Sequence, residues 1–295
     1  MGILWIVSSG PGSLQQLTPA AMKAIAAADV VIGNAFYLEM LEALLVNKRV
    51  IRSSMGKEVD RAKEAARLAA DHKVAMITGG DAGVYGMASI VLEVVEHEFP
   101  ETNVEVLPGV TAATAAASRL GSPLSGDYVT LSLSDLLTPW EMIEKRLHLA
   151  FQMGVPVALY NPKSRGRPLN LGRAVNIALQ YRSPETPVGV VRNAFRSGEE
   201  TFCVTLASLG ENDELVDMHS ILIIGGEETR FMEDNGDVKG IITPRGYHRK
   251  YVYWYRCGYT GRIFDFVAQQ EPGAGDGREC DAGGSDSPAV FDCGG

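Results

Sequence analysis

Short apolar runs alternate with amphipathic stretches along most of this chain. The runs are rich in Val, Ile and Leu and end at glycine or polar residues, which is typical of strands buried on both faces. They predict strands at residues 4–7, 30–32, 74–78, 104–107, 129–133, 155–160, 188–192, 202–206 and 221–224. Residues 20–28, 58–71 and 87–98 have the apolar spacing of helices. Such alternation predicts an α/β fold with mainly parallel sheets.

Local side chains encode the start of the first helix. Thr18 is placed to cap it, and Pro19 occupies the first helical position, where its missing N–H costs nothing. Leu17 and Met22 have the spacing of a hydrophobic staple. We therefore predict that this helix begins directly after Thr18.

A similar pattern predicts a helix start in the second half. Thr138 would cap this helix, Pro139 would be its first residue, and Glu141 would complete a capping box. Leu137 would then pack against Met142 as a second staple.

The turn-rich string GSPLSG at residues 121–126 separates the two halves. It predicts an N-terminal α/β domain over residues 1–121 and a C-terminal α/β domain over residues 126–250. Beyond Tyr247 the composition changes, and residues 271–295 consist largely of glycine and acidic residues. Such a segment cannot bury enough apolar surface to offset the entropy of ordering. We predict an extension over residues 251–295 that is disordered from about residue 271.

Composition and charge narrow the possible functions. The net charge of −9 argues against general nucleic-acid binding. No apolar run approaches the ~18 residues of a membrane span, and the amino terminus has no basic leader. Cys203, Cys257, Cys280 and Cys293 are too scattered for a metal site. These features predict a soluble, cytoplasmic protein with no metal, no nucleic-acid partner and no membrane contact.

Three glycine-containing loops follow predicted strands of the first half: SSGPGS at 8–13, TGGDAGVYG at 78–86 and PGVTAA at 108–113. Ligands bind at the carboxyl ends of strands in open α/β sheets, and glycines let a ligand approach the backbone closely. Each loop also has a simpler explanation: a tight turn, a flexible loop with a solvated Asp81, or an alanine-rich helix packed on the sheet. Together they predict a ligand site.

The strand ends of the second half are polar and basic. They carry YNPKSRGR at 160–167, RNA at 192–194 and TPRGY at 243–247. Arginine binds carboxylates in a bidentate manner, so the cluster favours a ligand with several carboxylates, although solvated surface arginines are the alternative. His72, His97, His148, His219 and His248 are most simply surface or helix residues.

These motifs resemble those of the class III, tetrapyrrole-type methyltransferases. The family-wide strings are GPG at 10–12, GGD at 79–81 and PGVTA at 108–112. DAGVYGM at 81–87, SLSDLLTPW at 132–140, YNPKSR at 160–165 and TPRGY at 243–247 resemble the branch that methylates C17 of corrin precursors. The chain departs from the family pattern at Ser8 (usually glycine), Asn34 (usually aromatic) and Ala82 (more often proline).

The resemblance implies two α/β domains with S-adenosylmethionine in the cleft between them, and a homodimer. The implied cofactor contacts are Pro11, Gly79, Gly80, Asp81, Val84, Thr111 and Ala112 from the first domain, with Asn161 and Ala194 from the second.

The implied reaction is methylation at C17, with ring contraction, of a tetrapyrrole: precorrin-3B or cobalt-factor III in cobalamin biosynthesis. We expect Ser132, Ser134, Asp135 and Thr138 to face the substrate, with Asp135 the leading acid/base candidate. The alternative is that Thr138 only caps a helix and Asp135 only holds the loop. Lys57, Arg165, Arg192 and Arg245 are the candidates for binding substrate carboxylates.

Three other functions stay open. A methyltransferase for another ring position would share the family strings, and a catalytically silent tetrapyrrole carrier would bind a corrin intermediate without turnover. A nicotinamide-dependent oxidoreductase would need a third glycine after Gly12, where this chain has Gln15, and an acid at the end of the second strand, where it has Gly33.

Overall fold

Five parallel strands form the sheet of the first half, in the order β3-β2-β4-β1-β5. They are β1 (Ile3–Ser8), β2 (Val30–Asn34), β3 (Arg49–Ser53), β4 (Lys73–Thr78) and β5 (Val104–Leu107). The helices are α1 (Pro19–Ala27), α2 (Ala35–Glu39), α3 (Glu58–Leu68) and α4 (Ala88–Glu98). These bounds come from a computed structural model that describes residues 2–164 and 166–247. The predicted extension over 251–295 lies outside the described residues.

Both faces of this sheet are covered by helices. The helices α3 and α4 pack on one face, where Leu4 and Ile6 of β1 are fully buried. The helix α1 and Leu38 of α2 pack on the other face, against Val7 of β1. Burial on both sides explains why these strands are continuously apolar in sequence. The edge strand β3 did not have this pattern, because Arg49 at its start is exposed.

The second half begins with the helix α5 (Ala112–Leu120) and contains a second sheet of five strands, in the order β10-β9-β11-β8-β7. Its strands are β7 (Val129–Ser132), β8 (Val157–Tyr160), β9 (Pro187–Arg192), β10 (Glu200–Thr205) and β11 (Ser220–Ile224). A three-stranded sheet consists of β6 (Gly121–Ser122), β12 (Arg230–Asp234) and β13 (Asp237–Ile242). The remaining helices are α6 (Trp140–Gln152), α7 (Asn170–Ala178) and α8 (Leu206–Glu211).

The expectation of mainly parallel sheets does not hold for this half. Only β7 and β8 pair in parallel, whereas the other neighbours in the five-stranded sheet pair antiparallel. The short connection from β9 to β10 reverses the chain, whereas a parallel pair needs a crossover of roughly a dozen residues or more. Apolar runs indicate burial but not strand direction, so the pattern could not reveal this.

The helix α5 packs on the second sheet although it precedes the predicted domain boundary at 121–126. Ala113, Ala116 and Leu120 lie in one buried cluster with Tyr160 of β8 and Val191 of β9. Residues up to Arg245 form one compact unit by their contacts. The boundary therefore stays a prediction, and the contacts of α5 favour a division in front of that helix.

Of the two predicted helix starts, the first is confirmed. Thr18 accepts a hydrogen bond from the Ala21 N–H at 3.1 Å, directly before Pro19. Although Leu17 is buried, the proposed staple partner Met22 is 42% exposed.

The prediction for Thr138 is wrong. Helix α6 begins at Trp140, and Pro139 precedes it in an extended conformation (φ −55°, ψ 144°) without a side-chain cap. Because Pro139 stays outside the helix, Thr138 lies too far from the first N–H groups to cap them. Leu137 is 93% exposed, so it does not form the expected staple with Met142. Within the described ranges, no helix has the length and apolar character needed to cross a bilayer.

Candidate active site

A cavity of about 300 Å³ opens where the carboxyl ends of the first sheet meet α5 and the second sheet. Cavities that hold drug-sized ligands begin at roughly this size. Eight of the nine predicted cofactor contacts line it: Pro11, Gly79, Gly80, Val84, Thr111, Ala112, Asn161 and Ala194. The ninth, Asp81, does not.

Hydrogen bonds between the first two glycine loops shape one side of the cavity. The backbone N–H groups of Gly10 and Gly80 each donate to the carbonyl of the other, at 3.0 and 2.8 Å. Both residues have left-handed φ angles (67° and 64°), which glycine adopts without strain. Ser8, the departure from the family pattern, is fully buried, and its Oγ accepts from the Ala82 N–H at 2.8 Å. The loop therefore gains a contact where glycine would have none.

The glycines of these loops have different functions. A Cβ on Gly12 would overlap the side chain of Arg196, and one on Gly79 would overlap the ring of Tyr37. At these two positions the missing side chain admits another side chain of the protein. Gly80 has almost no neighbour on its Cβ side, with the Ala112 N–H at 3.9 Å. Of these three, Gly80 is the glycine that leaves room for a ligand.

Asp81 joins two loops instead of lining the cavity. Its Oδ1 accepts from the Gly83 N–H at 2.8 Å, and its Oδ2 accepts from the Gly109 N–H at 2.8 Å. The carboxylate thus holds the 78–86 loop against the 108–113 loop. Its expected direct contact with the cofactor stays a prediction.

Two tyrosines, which were not predicted as site residues, connect the halves at the cavity. The Tyr160 hydroxyl accepts from the Ala113 N–H at 2.8 Å and forms a hydrogen bond with the Thr111 hydroxyl at 2.6 Å, in which either oxygen can be the donor. Burial raises the pKa of Tyr160, so the hydroxyl stays neutral at neutral pH. The Tyr85 ring lies 4.8 Å from that of Tyr160, and its hydroxyl donates to the Thr130 carbonyl at 3.3 Å. Both tyrosines belong to strings that the sequence had marked, DAGVYGM and YNPKSR.

The opposite wall combines aromatic and basic side chains. The Arg196 guanidinium lies 5.2 Å from the centroid of the Phe36 ring, and its Nε donates to the Pro11 carbonyl. His219 is exposed, as expected, but its ring stacks on Phe36 at 5.6 Å. Asn34, the second departure from the family pattern, accepts from the Phe36 N–H at 2.9 Å and caps α2. No local pattern singled out these residues.

The 132–140 loop adjoins the cavity through Asn161. Ser132 Oγ accepts from Asn161 Nδ2 at 3.0 Å and from the Ser134 N–H at 3.2 Å. Asp135 lies 3.9 Å from the Nε of Arg167. Asn161 lines the cavity, whereas Ser132, Ser134, Asp135 and Thr138 do not.

The three described residues among the four predicted carboxylate-binding residues do not line the cavity. Lys57 is exposed and pairs with Asp60 at 3.2 Å. Arg192 follows Val191, which lines the cavity, so strand alternation turns its side chain to the other face, where it pairs with Glu200 at 2.7 Å. Arg245 is exposed and does not line the cavity, and Arg165 lies outside the described residues.

The chain combines a parallel α/β half with a mainly antiparallel second half, and a cavity lined by glycine loops lies where they meet. This combination is typical of enzymes that bind small molecules. Residues 3–210 match the family described as Tetrapyrrole (Corrin/Porphyrin) Methylases, and the chain belongs to this family.

Among its curated relatives is the probable cobalt-factor III C(17)-methyltransferase of Salmonella typhimurium, 44% identical over 83% of this chain and 99% of that protein. The precorrin-3B C(17)-methyltransferase of a Sinorhizobium species is 41% identical over 83% of this chain and 97% of that protein. The chain spans 46% and 54% of two longer relatives, and so about half their length. The crystal structure of the methyltransferase CobJ superposes with a TM-score of 0.77 at 31% identity, covering 83% of this chain and all of that one. This similarity confirms the class III methyltransferase fold.

Proposed function

We propose that this chain transfers a methyl group from S-adenosylmethionine to C17 of a corrin precursor, with ring contraction, in cobalamin biosynthesis. The observation that carries the proposal is the identity of 41–44% to two proteins whose names specify C17 methylation, over 97–99% of their lengths. One is named for cobalt-factor III and the other for precorrin-3B, so either substrate fits. We extend the proposal to a homodimer in the cytoplasm, on the basis of the family resemblance.

The cavity fits the proposed cofactor. It combines backbone loops free of side chains at Gly80 with the Asn161 amide and the apolar side chain of Val84. Such a lining accepts an adenosine and the neighbouring sulfonium group while offering hydrogen bonds to ribose and amino-acid groups. Bound S-adenosylmethionine would supply an electrophilic methyl group. The residues of the chain would align it and exclude water, which is the main requirement of an in-line displacement.

The 132–140 loop would contact the corrin substrate. Ser132 fixes Asn161 beside the cofactor site, so a substrate held by this loop would be adjacent to the methyl group. We propose that Asp135, whose side chain is 37% exposed, acts as the acid or base that donates or accepts a proton at the substrate edge during ring contraction. Lys57, Arg165, Arg192 and Arg245 remain proposed partners of substrate carboxylates, and for this Lys57 would have to leave Asp60 and Arg192 would have to leave Glu200.

Incubating the purified chain with S-adenosylmethionine and either precorrin-3B or cobalt-factor III tests the proposed reaction. We expect one of the two to be converted to a product carrying one additional methyl group. A ¹³C-labelled methyl donor would locate that group at C17 by NMR. Labelling at another carbon would indicate a different methyltransferase, and binding of both substrates without turnover would indicate a carrier.

Replacing Asp81 with alanine is expected to weaken S-adenosylhomocysteine binding about 10-fold, because two charge-assisted hydrogen bonds are lost, one to Gly83 within the 78–86 loop and one to Gly109 in the 108–113 loop. Isothermal titration calorimetry measures the change. Unchanged affinity would show that Asp81 neither contacts the ligand nor supports the loops that bind it.

Asp29 offers the matched control for this variant. Its carboxylate also accepts a backbone N–H, that of Lys73 at 2.8 Å, but at the amino ends of the strands and therefore away from the cavity. Asp29→Ala should lower stability without changing the affinity for S-adenosylhomocysteine.

A further inference from the structure

Arg196 brings a positive charge to the wall of the cavity. It lies in the connection between β9 and β10 and lines the cavity together with Phe36 and Pro11. The Cζ of its guanidinium lies 5.2 Å from the centroid of the Phe36 ring, and its Nε–H donates to the Pro11 carbonyl. These two contacts restrain the guanidinium and leave its terminal N–H groups without a hydrogen-bond partner in the described part of the chain.

Nearby acids do not neutralise this charge. Glu199 pairs with Arg119 at 3.0 Å, and Glu200 pairs with Arg192 at 2.7 Å. Across the described residues, Arg196 makes no ion pair within 4.0 Å. Burial lowers the pKa of Arg196, and the opposing influence of the neighbouring Tyr37 is smaller than this loss of solvation. The protein thus maintains a half-buried cation beside its cavity without an internal counter-ion.

A carboxylate is the ligand group that suits this arrangement. The terminal N–H groups of a guanidinium form a fork that matches the two oxygens of a carboxylate, and the contacts with Phe36 and Pro11 restrain that fork at the cavity wall. We propose that Arg196 binds a carboxylate group of the ligand in the cavity. The proposal rests on the proposed function, which supplies two sources of this group: the amino-acid part of the cofactor and the acidic side chains of the corrin precursor.

A purely structural role of Arg196 would affect ligand binding in a different way. In that case Arg196 would only tie the β9–β10 connection to Pro11, and its loss would loosen the first glycine loop for every ligand alike. A pair of ligands that differ only near the carboxylate separates the two roles. S-adenosylhomocysteine has the amino-acid group, whereas methylthioadenosine has the same adenosine and thioether but no carboxylate.

The test is calorimetric titration of wild-type protein, Arg196→Gln and Arg196→Lys with both ligands, together with the KM for the corrin substrate. If the cofactor is the source, Arg196→Gln should weaken S-adenosylhomocysteine about 10-fold to 100-fold and leave methylthioadenosine unchanged. If the substrate is the source, both affinities should stay unchanged while KM rises by a similar factor. Arg196→Lys keeps the charge but not the fork, so it should lose less in the same measurement.

Two outcomes would overturn the proposal. In one, neither affinity nor KM changes; in the other, both adenosine ligands weaken together, as expected for a loosened loop. Arg119→Gln is the matched control, since Arg119 also lies over an aromatic ring, 3.8 Å from the centroid of Phe195, but is paired with Glu199 and does not line the cavity. Its binding constants should equal those of the wild type. If the wild-type protein bound no S-adenosylhomocysteine, that result would contradict the proposed function itself and not only the role of Arg196.

Discussion

Replacing Asp135 with asparagine is expected to lower kcat about 100-fold or more, because asparagine has the same shape but cannot exchange a proton at neutral pH. Ring contraction requires proton transfers, and Asp135 is the acidic member of the 132–140 loop. Its carboxylate is partly exposed and lies 3.9 Å from Arg167, which can hold it in place. Since Asp135 does not line the cavity, the affinity for S-adenosylhomocysteine should not change.

Steady-state kinetics with the better of the two corrin substrates measures this effect. Asp127→Asn is the control, because Asp127 is exposed and lies near the amino end of the same strand, β7, away from the 132–140 loop. A kcat for Asp135→Asn within a few-fold of wild type would mean that Asp135 only holds the loop. The pH dependence of kcat adds a second readout, since the loss of an acid/base group removes one limb of the profile.

Replacing Arg182 with leucine is expected to lower the free energy of unfolding by about 3 kcal/mol or more, because several buried carbonyl groups lose their donor. Arg182 is 7% exposed. Its guanidinium donates to the carbonyls of Phe151 at 2.7 Å, Val155 at 3.2 Å and Gly225 at 3.2 Å. These carbonyls lie in the last turn of helix α6, just after that helix and just after strand β11, so one side chain joins the end of α6 to the connection that follows β11.

Urea denaturation followed by circular dichroism measures the stability of this variant. Arg230→Leu is the matched control, since Arg230 is exposed on β12 and its Nη1 donates only to the neighbouring Phe231 carbonyl. That change should stay within about 0.5 kcal/mol of wild type. A similarly small loss for Arg182→Leu would show that water or other donors replace the guanidinium.

The pattern of apolar residues alone was sufficient to predict the central strands of the first sheet. Residues 4–7, 30–32 and 74–78 lie within β1, β2 and β4, because strands covered on both sides must be continuously apolar. Residues 104–107 form β5 as predicted, although this strand lies at the edge of the sheet and its middle residues are exposed. The edge strand β3 and the hairpin of β12 and β13 were not predicted, because one of their faces is open and their sequences are mixed. Asn235 and Gly236, which turn that hairpin with positive φ angles, were a local indication that could have been used.

The loops of the cavity were also predictable, since ligand-binding loops follow the carboxyl ends of parallel strands. The family resemblance then implied Pro11, Gly80 and Thr111 as individual site residues, and all three lie at the cavity. Sequence alone did not separate a residue that lines a cavity from one that supports a loop. Asp81 belongs to the second kind, and only its hydrogen bonds to Gly83 and Gly109 reveal this.

The sequence by itself determined which segments are buried, where the glycine loops lie and to which family the motifs belong. The tertiary structure alone decided strand direction in the second sheet and the composition of the far wall of the cavity. Phe36 and Arg196 are separated by most of the chain, and neither lies in a periodic pattern. Their contact depends on how two sheets meet, and that arrangement is set by the summed packing of both halves rather than by any local run of residues.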